Sequence, residues 1–244
     1  MTTHADRPRT DGVRSPATFW LYRFRWFGRL VIRRRYDVRV LHAERFPADG
    51  PVIVAANHIG VIDGPLLAIF APRPVHAWTK IEMFKGLLGR FLSAVGQIPL
   101  DRFRSDPLAV KVALRTLRDG RVVGVFPEGT RGNGELDTYH RGAAYLALVT
   151  GAPVLPLTFI GSRESGGSSG SLPKKGARIH MVVGDPVRID AVPWPRTPAL
   201  VEKATLDLHR RMLAGIQAAL AETGRALPGP LPTNDPALDP DEGP

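Results

Sequence analysis

His58 and Asp63, five positions apart, are the pair in this sequence whose types and spacing suit proton transfer. His58 follows Asn57 at the end of the apolar run Val52-Ile53-Val54-Ala55-Ala56, and Gly60 between the pair lets the backbone bend. A carboxylate bonded to one ring nitrogen fixes the tautomer and makes the other nitrogen a better proton acceptor, which is the work of a general base. Gly64-Pro65 opens a short helix, because proline suits a first turn, and this sets Asp63 at its cap within reach of the imidazole. An arbitrary His-x4-Asp is far more often structural than catalytic, so the rest of the chain has to decide.

Three more stretches each follow an extended run. Gly96-Gln97-Ile98-Pro99-Leu100-Asp101-Arg102 ends in an arginine. Phe126-Pro127-Glu128-Gly129-Thr130-Arg131 ends in a second, preceded by a glutamate, a glycine and a threonine. Val154-Leu155-Pro156 closes the set, its proline read as shaping a strand end. Strand ends of a parallel sheet converge on one edge, which gathers His58, Asp63, Arg102, Glu128 and Arg131 into one cleft. Two guanidinium groups suit a phosphate, being planar, bidentate and permanently charged. Gly129 allows backbone amides to approach such a ligand.

The elements that must position these residues read as an alternation. Strands are predicted at 37–42, 51–56, 75–79, 97–100, 122–126, 154–160 and 177–183. Helices are predicted at 65–70, 82–94, 107–119, 139–150 and 198–222, several closed by glycine. This pattern is that of an α/β layered domain with a largely parallel central sheet flanked by helices, over residues 37–223. Residues 161–176 form a Gly/Ser loop containing Gly166-Gly167-Ser168-Ser169-Gly170, formally a G-x-S-x-G match. That motif marks a nucleophile only between a strand and a helix, which this tract lacks. Residues 1–15 are polar and 224–244 proline-rich and acidic; both read as disordered.

Over 16–36 the chain reads as an amphipathic helix. Trp20, Phe24, Phe27 and Val31 form one apolar line flanked by Phe19, Trp26 and Leu30, with Arg25, Arg29 and Arg33 opposite. Aromatics on one face and arginines on the other describe a helix lying in a membrane interface, with Arg33-Arg34-Arg35 toward anionic headgroups. A terminal helix packed on its own domain with a solvated basic face is the other reading. The chain of 244 residues is 43% hydrophobic and carries a formal charge of +10, so an anionic partner is expected. It has no cysteine, which excludes disulfides, thiolate zinc sites and a cysteine nucleophile. No signal peptide and no spanning segment is recognised, so the expected location is the cytoplasmic face of a membrane, peripheral or monotopic.

With these motifs the sequence resembles the glycerolipid acyltransferase family typified by bacterial 1-acyl-glycerol-3-phosphate acyltransferase. The resemblance rests on the blocks around Asn57–Asp63, Gly96–Arg102, Phe126–Arg131 and Val154–Pro156 and covers roughly residues 37–190. Arg141-Gly142 stands where many relatives carry Lys-Gly. It implies acyl transfer from acyl-CoA or acyl-carrier protein to the free hydroxyl of lysophosphatidic acid, giving phosphatidic acid. His58 is then the general base and Asp63 orients it. Arg102, Glu128, Gly129, Thr130 and Arg131 hold the glycerol-phosphate head, and Pro156 shapes the wall of the acyl site. Attack is direct, with no acyl-enzyme, no metal and no cofactor beyond the acyl thioester. The expected partners are lysophospholipid, acyl thioester, an anionic membrane surface and acyl-carrier protein, with no nucleic acid. Two alternatives stay open: the same chemistry on a lyso-aminolipid or glycolipid, and a non-catalytic basic protein binding membrane or nucleic acid.

Overall fold

Every residue of Val52–Ala56 is buried, as it must be in a strand covered on both faces. The computed structural model describes residues 7–238 and sets this run in the middle of a seven-stranded sheet. The strands are β1 (Asp37–Leu41), β2 (Val52–Ala56), β3 (Val75–Lys80), β4 (Ile98–Leu100), β5 (Val122–Val125), β6 (Val154–Ile160) and β7 (Arg178–Val183). The helices are α1 (Phe19–Arg35), α2 (Asp63–Phe70), α3 (Gly86–Ala94), α4 (Pro107–Arg118), α5 (Gly142–Thr150) and α6 (Pro198–Thr223). The strand order is β1-β7-β6-β2-β5-β3-β4. All neighbouring pairs are parallel except β6 with β7.

The strand period of two divides the core. Ile53 and Ala55 face a cluster built on α4, α5 and α6, with Leu114, Leu117, Leu146, Leu208, Met212 and Ile216. Val52, Val54 and Ala56 face the other side, where Leu66, Leu67 and Phe70 of α2 pack with Tyr36. The predicted helix over 82–94 is broken: Ile81–Phe84 is a 3-10 turn, and Lys85 is extended before α3 begins. Gly89 explains the close packing of the two pieces, since a Cβ there would lie 2.1 Å from the Phe84 backbone.

Helix α1 lies on the domain the other way round from the packed alternative considered above. Its arginine side faces in. The Arg25 and Arg29 Nε groups donate to the Ile69 carbonyl at 3.2 and 2.9 Å, and both arginines also donate to the Ala71 carbonyl. These carbonyls end α2, whose last turn has no intrahelical donors for them and carries the negative end of the helix dipole. Burial lowers the Arg25 pKa to about 10, with Arg29 adding to the effect, so the buried guanidinium stays charged at neutral pH. The aromatic side is left exposed, Trp26 at 72% and Phe19 at 65%. Phe24 meets Phe91 of α3 edge-on, and the exposed Leu87, Leu88 and Phe91 extend the same apolar surface.

Residues 7–15, read from composition as disordered, lie along the end of α4. Arg118 donates to the Pro8 carbonyl and to Thr10 Oγ1 at 3.1 and 2.7 Å, and Ser15 bonds Asp119. At the other terminus Asp235 is buried and bonded to Ser169, so 224–238 is likewise held to the domain. Composition misleads here because a polar strap needs only partners for its backbone, not an apolar face of its own. The expectation of disorder at 1–6 and 239–244 falls outside the described residues.

Candidate active site

The end of β2 is fixed by side-chain bonds that continue its pairing with β6. Buried Asn57 donates from Nδ2 to the Phe159 carbonyl at 3.1 Å and accepts the Phe159 N–H at 2.7 Å. The next residue, His58, therefore leaves the sheet at a defined point. Its ring stacks on Phe126 with centroids 4.2 Å apart, and Nδ1 lies 2.9 Å from Asp63 Oδ2. The same carboxylate oxygen accepts the Ile59 and Gly60 N–H groups at 2.7 and 2.8 Å. Asp63 thus organises the loop before its helix. The cap role expected from the sequence is not what it performs: Ile62 holds the cap position and Asp63 is the first helical residue.

Asp63 is completely buried, while the His58 side chain keeps 20% of its surface. With Nδ1 committed to the carboxylate, Nε2 is the nitrogen left to exchange a proton with a ligand. Gly60 is required by contact, because a Cβ there would lie 2.4 Å from the Ser162 carbonyl oxygen.

The loop after β5 closes over this pair. Glu128 accepts the His58 backbone N–H at 2.6 Å, and Gly132 N–H donates to the His58 carbonyl at 2.9 Å. Burial raises the Glu128 carboxyl to about 8; the His58 N–H bond opposes this, and the charges of Asp63 and Asp137 add to it. Gly129 has φ of +71°, and a Cβ there would meet the His140 ring at 2.7 Å, so the turn excludes other residues twice over. Arg102 Nη1 donates to the Gly129 carbonyl, which carries the arginine after β4 to the loop after β5. Its pKa is lowered by burial, opposed by Glu82, with the positive charge of Arg131 lowering it further. Arg102 Nε is buried without a hydrogen-bond partner among the described residues. Arg131 donates from Nη1 to the Ser169 carbonyl at 2.9 Å. Thr130, half-buried, lies between Gly129 and Arg131 in the same loop.

His58, Asp63, Arg102, Glu128, Gly129, Thr130 and Arg131 thus lie in neighbouring loops at one edge of the sheet. Pro156 does not join them. It lies inside β6, buried and paired with Ala55, four residues short of the strand end at Ile160. A proline is tolerated there because the β6–β7 ladder starts only at Leu157, so its missing N–H costs no rung on that side.

One residue of the site escaped sequence reasoning. Arg163, after β6, is 2% exposed and donates to four carbonyls: Ile59 at 2.8 Å, Gly167 at 2.8 Å, Gly132 at 3.1 Å and Gly229 at 2.6 Å. It ties together the loops after His58 and Arg131, the Gly/Ser loop and the C-terminal segment. Nothing local distinguishes it from a surface arginine. The Gly/Ser loop itself is held down: Asp235 accepts from Ser169 N and Oγ, both at 2.6 Å. Among the described residues no three His, Asp or Glu side chains converge as a metal would need.

The family model described as Acyltransferase matches residues 37–160, half of the chain, and runs from β1 to the end of β6 across every site loop described above. The chain belongs to the acyltransferase family. A relative from Bacillus subtilis (strain 168), named 1-acyl-sn-glycerol-3-phosphate acyltransferase, is 30% identical over 161 residues, 65% of this chain and 78% of the relative. A human relative, 1-acyl-sn-glycerol-3-phosphate acyltransferase beta, is 29% identical over 130 residues, 51% of this chain and 46% of its own length. In fold, this acyltransferase is similar to the crystal structure of the 1-acyl-sn-glycerophosphate acyltransferase PlsC from Thermotoga maritima. The TM-score is 0.63 at 24% identity, covering 82% of this chain and 80% of that one.

Proposed function

We propose that this acyltransferase moves an acyl group from a thioester to the free hydroxyl of 1-acyl-sn-glycerol-3-phosphate, giving phosphatidic acid. The observation that carries this reading is the half-buried His58 held by the buried Asp63, beside two arginines from separate strand ends. Arg102 has a buried Nε without a partner among the described residues, a donor that an arriving phosphate oxygen would satisfy. The acceptor names of the Bacillus and human relatives agree with a phosphate on the acceptor.

In this mechanism the acceptor hydroxyl lies against His58 Nε2. Its oxygen attacks the thioester carbonyl carbon as the ring takes its proton. Asp63 stabilises the resulting imidazolium, and Arg102 and Arg131 fix the phosphate so that the hydroxyl is in line. Collapse of the tetrahedral intermediate breaks the C–S bond, and the imidazolium returns the proton to the leaving thiolate. No acyl-enzyme is needed, and Ser168 takes no part. The experiment is product formation by purified protein from labelled lysophosphatidate and a panel of acyl thioesters. Phosphatidate formed by the parent and lost in His58→Ala is the expected result. Activity equal to the parent's in that variant, or none with lysophosphatidate beside turnover of another lyso-lipid, overturns it.

The site meets its lipids at a membrane surface in this proposal. No helix among the described residues is long and apolar enough to cross a membrane. The exposed aromatics of α1 and the apolar residues of α3 form one surface beside exposed arginines, suited to an anionic interface. Sedimentation with phosphatidylglycerol vesicles tests this: binding that survives Trp26→Ala with Phe19→Ala unchanged counts against it.

A further inference from the structure

A second cationic cleft lies outside the arginines assigned to the acceptor. Arg33, Arg34 and Arg35 at the end of α1 and Lys175 in the β6–β7 connection line an open cavity of about 790 Å³ together with Tyr36, Val38 and Asp37, whose carboxylate pairs with Arg39 and Arg178. Gly176 N–H donates to the Arg35 carbonyl at 2.7 Å, which fixes the lysine loop against the helix end. All four cationic residues are exposed, so the cleft holds positive charge that the fold leaves in solvent.

Its position follows from the sheet. Strand β1 starts at Asp37, paired with Arg178 at the start of β7. Because β7 runs antiparallel to β6, that start lies beyond the C-terminal end of β6, and β6 is parallel to β2. The cleft therefore opens at the same edge of the sheet as His58, with three strand spacings, about 14 Å, between β1 and β2 across the sheet. Arg102 follows β4, on the opposite side of β2, whereas Arg131 follows β5 and reaches back to the Ser169 carbonyl in the β6–β7 connection. His58 thus stands between the cleft and Arg102 along one edge.

An acyl transfer between a phosphorylated acceptor and a phosphorylated donor needs two cationic regions. We infer that the Arg33–Arg35/Lys175 cleft binds the phosphate end of the acyl donor, the phosphates attached to the pantetheine arm that carries the thioester. This rests on the reading given under Proposed function, which assigns Arg102 and Arg131 to the acceptor and leaves the donor without a binding site. Coenzyme A and acyl-carrier protein both present a phosphate at that end of the arm, and an extended arm spans the separation from His58. A membrane headgroup offers similar chemistry, but the cleft's place on the catalytic edge favours a substrate.

The test uses the full chain with Arg34→Ala and Lys175→Ala combined, two exposed changes outside the core. In detergent micelles, the expected result with acyl-CoA is a KM raised roughly tenfold or more, the loss of charge-assisted contacts. The kcat and the KM for lysophosphatidate stay within twofold. The KM for acyl-pantetheine, which lacks phosphate, stays at the parent value, and calorimetric titration with coenzyme A weakens in step. If the parent binds no coenzyme A, acyl-carrier protein is the probe and the same split is read with it. An unchanged donor KM overturns the inference, as does an equal rise for acyl-pantetheine. Loss confined to sedimentation with phosphatidylglycerol vesicles overturns it too, and assigns the cleft to lipid. If the parent forms no phosphatidate at all, the function proposed above fails while the coenzyme A titration still reads the cleft.

Discussion

Glu128→Gln isolates the most perturbed acid in the site. The Glu128 carboxyl is 5% exposed and is raised from an ordinary value of 4.5 to about 8, chiefly by burial. The unfolded chain ionises this group near its ordinary value, whereas the folded protein holds the proton to about pH 8. Between these limits the native state binds more protons than the unfolded state, so stability falls as pH rises. The contribution is neutral below about pH 4.5, declines through the window from 4.5 to 8 and is flat above. At 1.36 kcal/mol for each pKa unit, the shift amounts to about 5 kcal/mol at full development, against total stabilities of roughly 5–15 kcal/mol. Glutamine keeps a carbonyl oxygen for the His58 N–H and cannot ionise. The assay is urea unfolding of parent and variant at pH 5, 6, 7, 8 and 9. The stability gap, variant minus parent, should grow by at least about 2 kcal/mol from pH 5 to pH 8 and then level. A gap that stays within about 0.5 kcal/mol over that range refutes the reasoning, because no proton would then be held by the buried carboxyl.

Asp63→Asn keeps an oxygen for the Ile59 and Gly60 N–H groups but removes the charge facing the imidazolium; kcat should fall about 10³–10⁴-fold in a thiol-release assay, with the fold intact by circular dichroism. Ser168→Ala should leave kcat within twofold of the parent in the same assay, whereas an inactive variant would revive the serine nucleophile. Arg163→Met orphans carbonyls in four segments and should cost about 3 kcal/mol or more in urea unfolding. Asp235→Ala frees the Ser169 loop that braces Arg131; the KM for lysophosphatidate should rise several-fold with kcat little changed, and an unaltered KM would separate the C-terminal segment from the site.

Much of this molecule is legible in its residue order. Buried parallel strands announce themselves as unbroken apolar runs, so β2, β5 and β6 fall where Val52–Ala56, Val122–Val125 and Val154–Ile160 stand. Glycine closes α5 and α6 because Gly151 and Gly224 adopt positive φ there. The pairing of His58 with Asp63 is also local, five residues bent around Gly60. Pro156 was misplaced because proline usually marks a strand end, and only the late start of the β6–β7 ladder makes an interior position tolerable. The Gly/Ser tract reads as a plain loop, and nothing in it shows that buried Asp235 pins it from 66 residues away.

Sequence alone determined most of the elements, the pairing of His58 with Asp63 and the family, since each depends on side-chain type at short spacing. Tertiary structure decided which way α1 faces: its two sides are both plausible surfaces, and the choice is made by the unpaired carbonyls of Ile69 and Ala71, which demand the guanidinium groups of Arg25 and Arg29. It likewise decided that Arg163 binds four segments together and that a cationic cleft opens at the same sheet edge as His58. Those are relations between segments far apart in the chain, and no periodicity records them, because hydrogen-bond partners and strand order come into being only when the sheet is assembled.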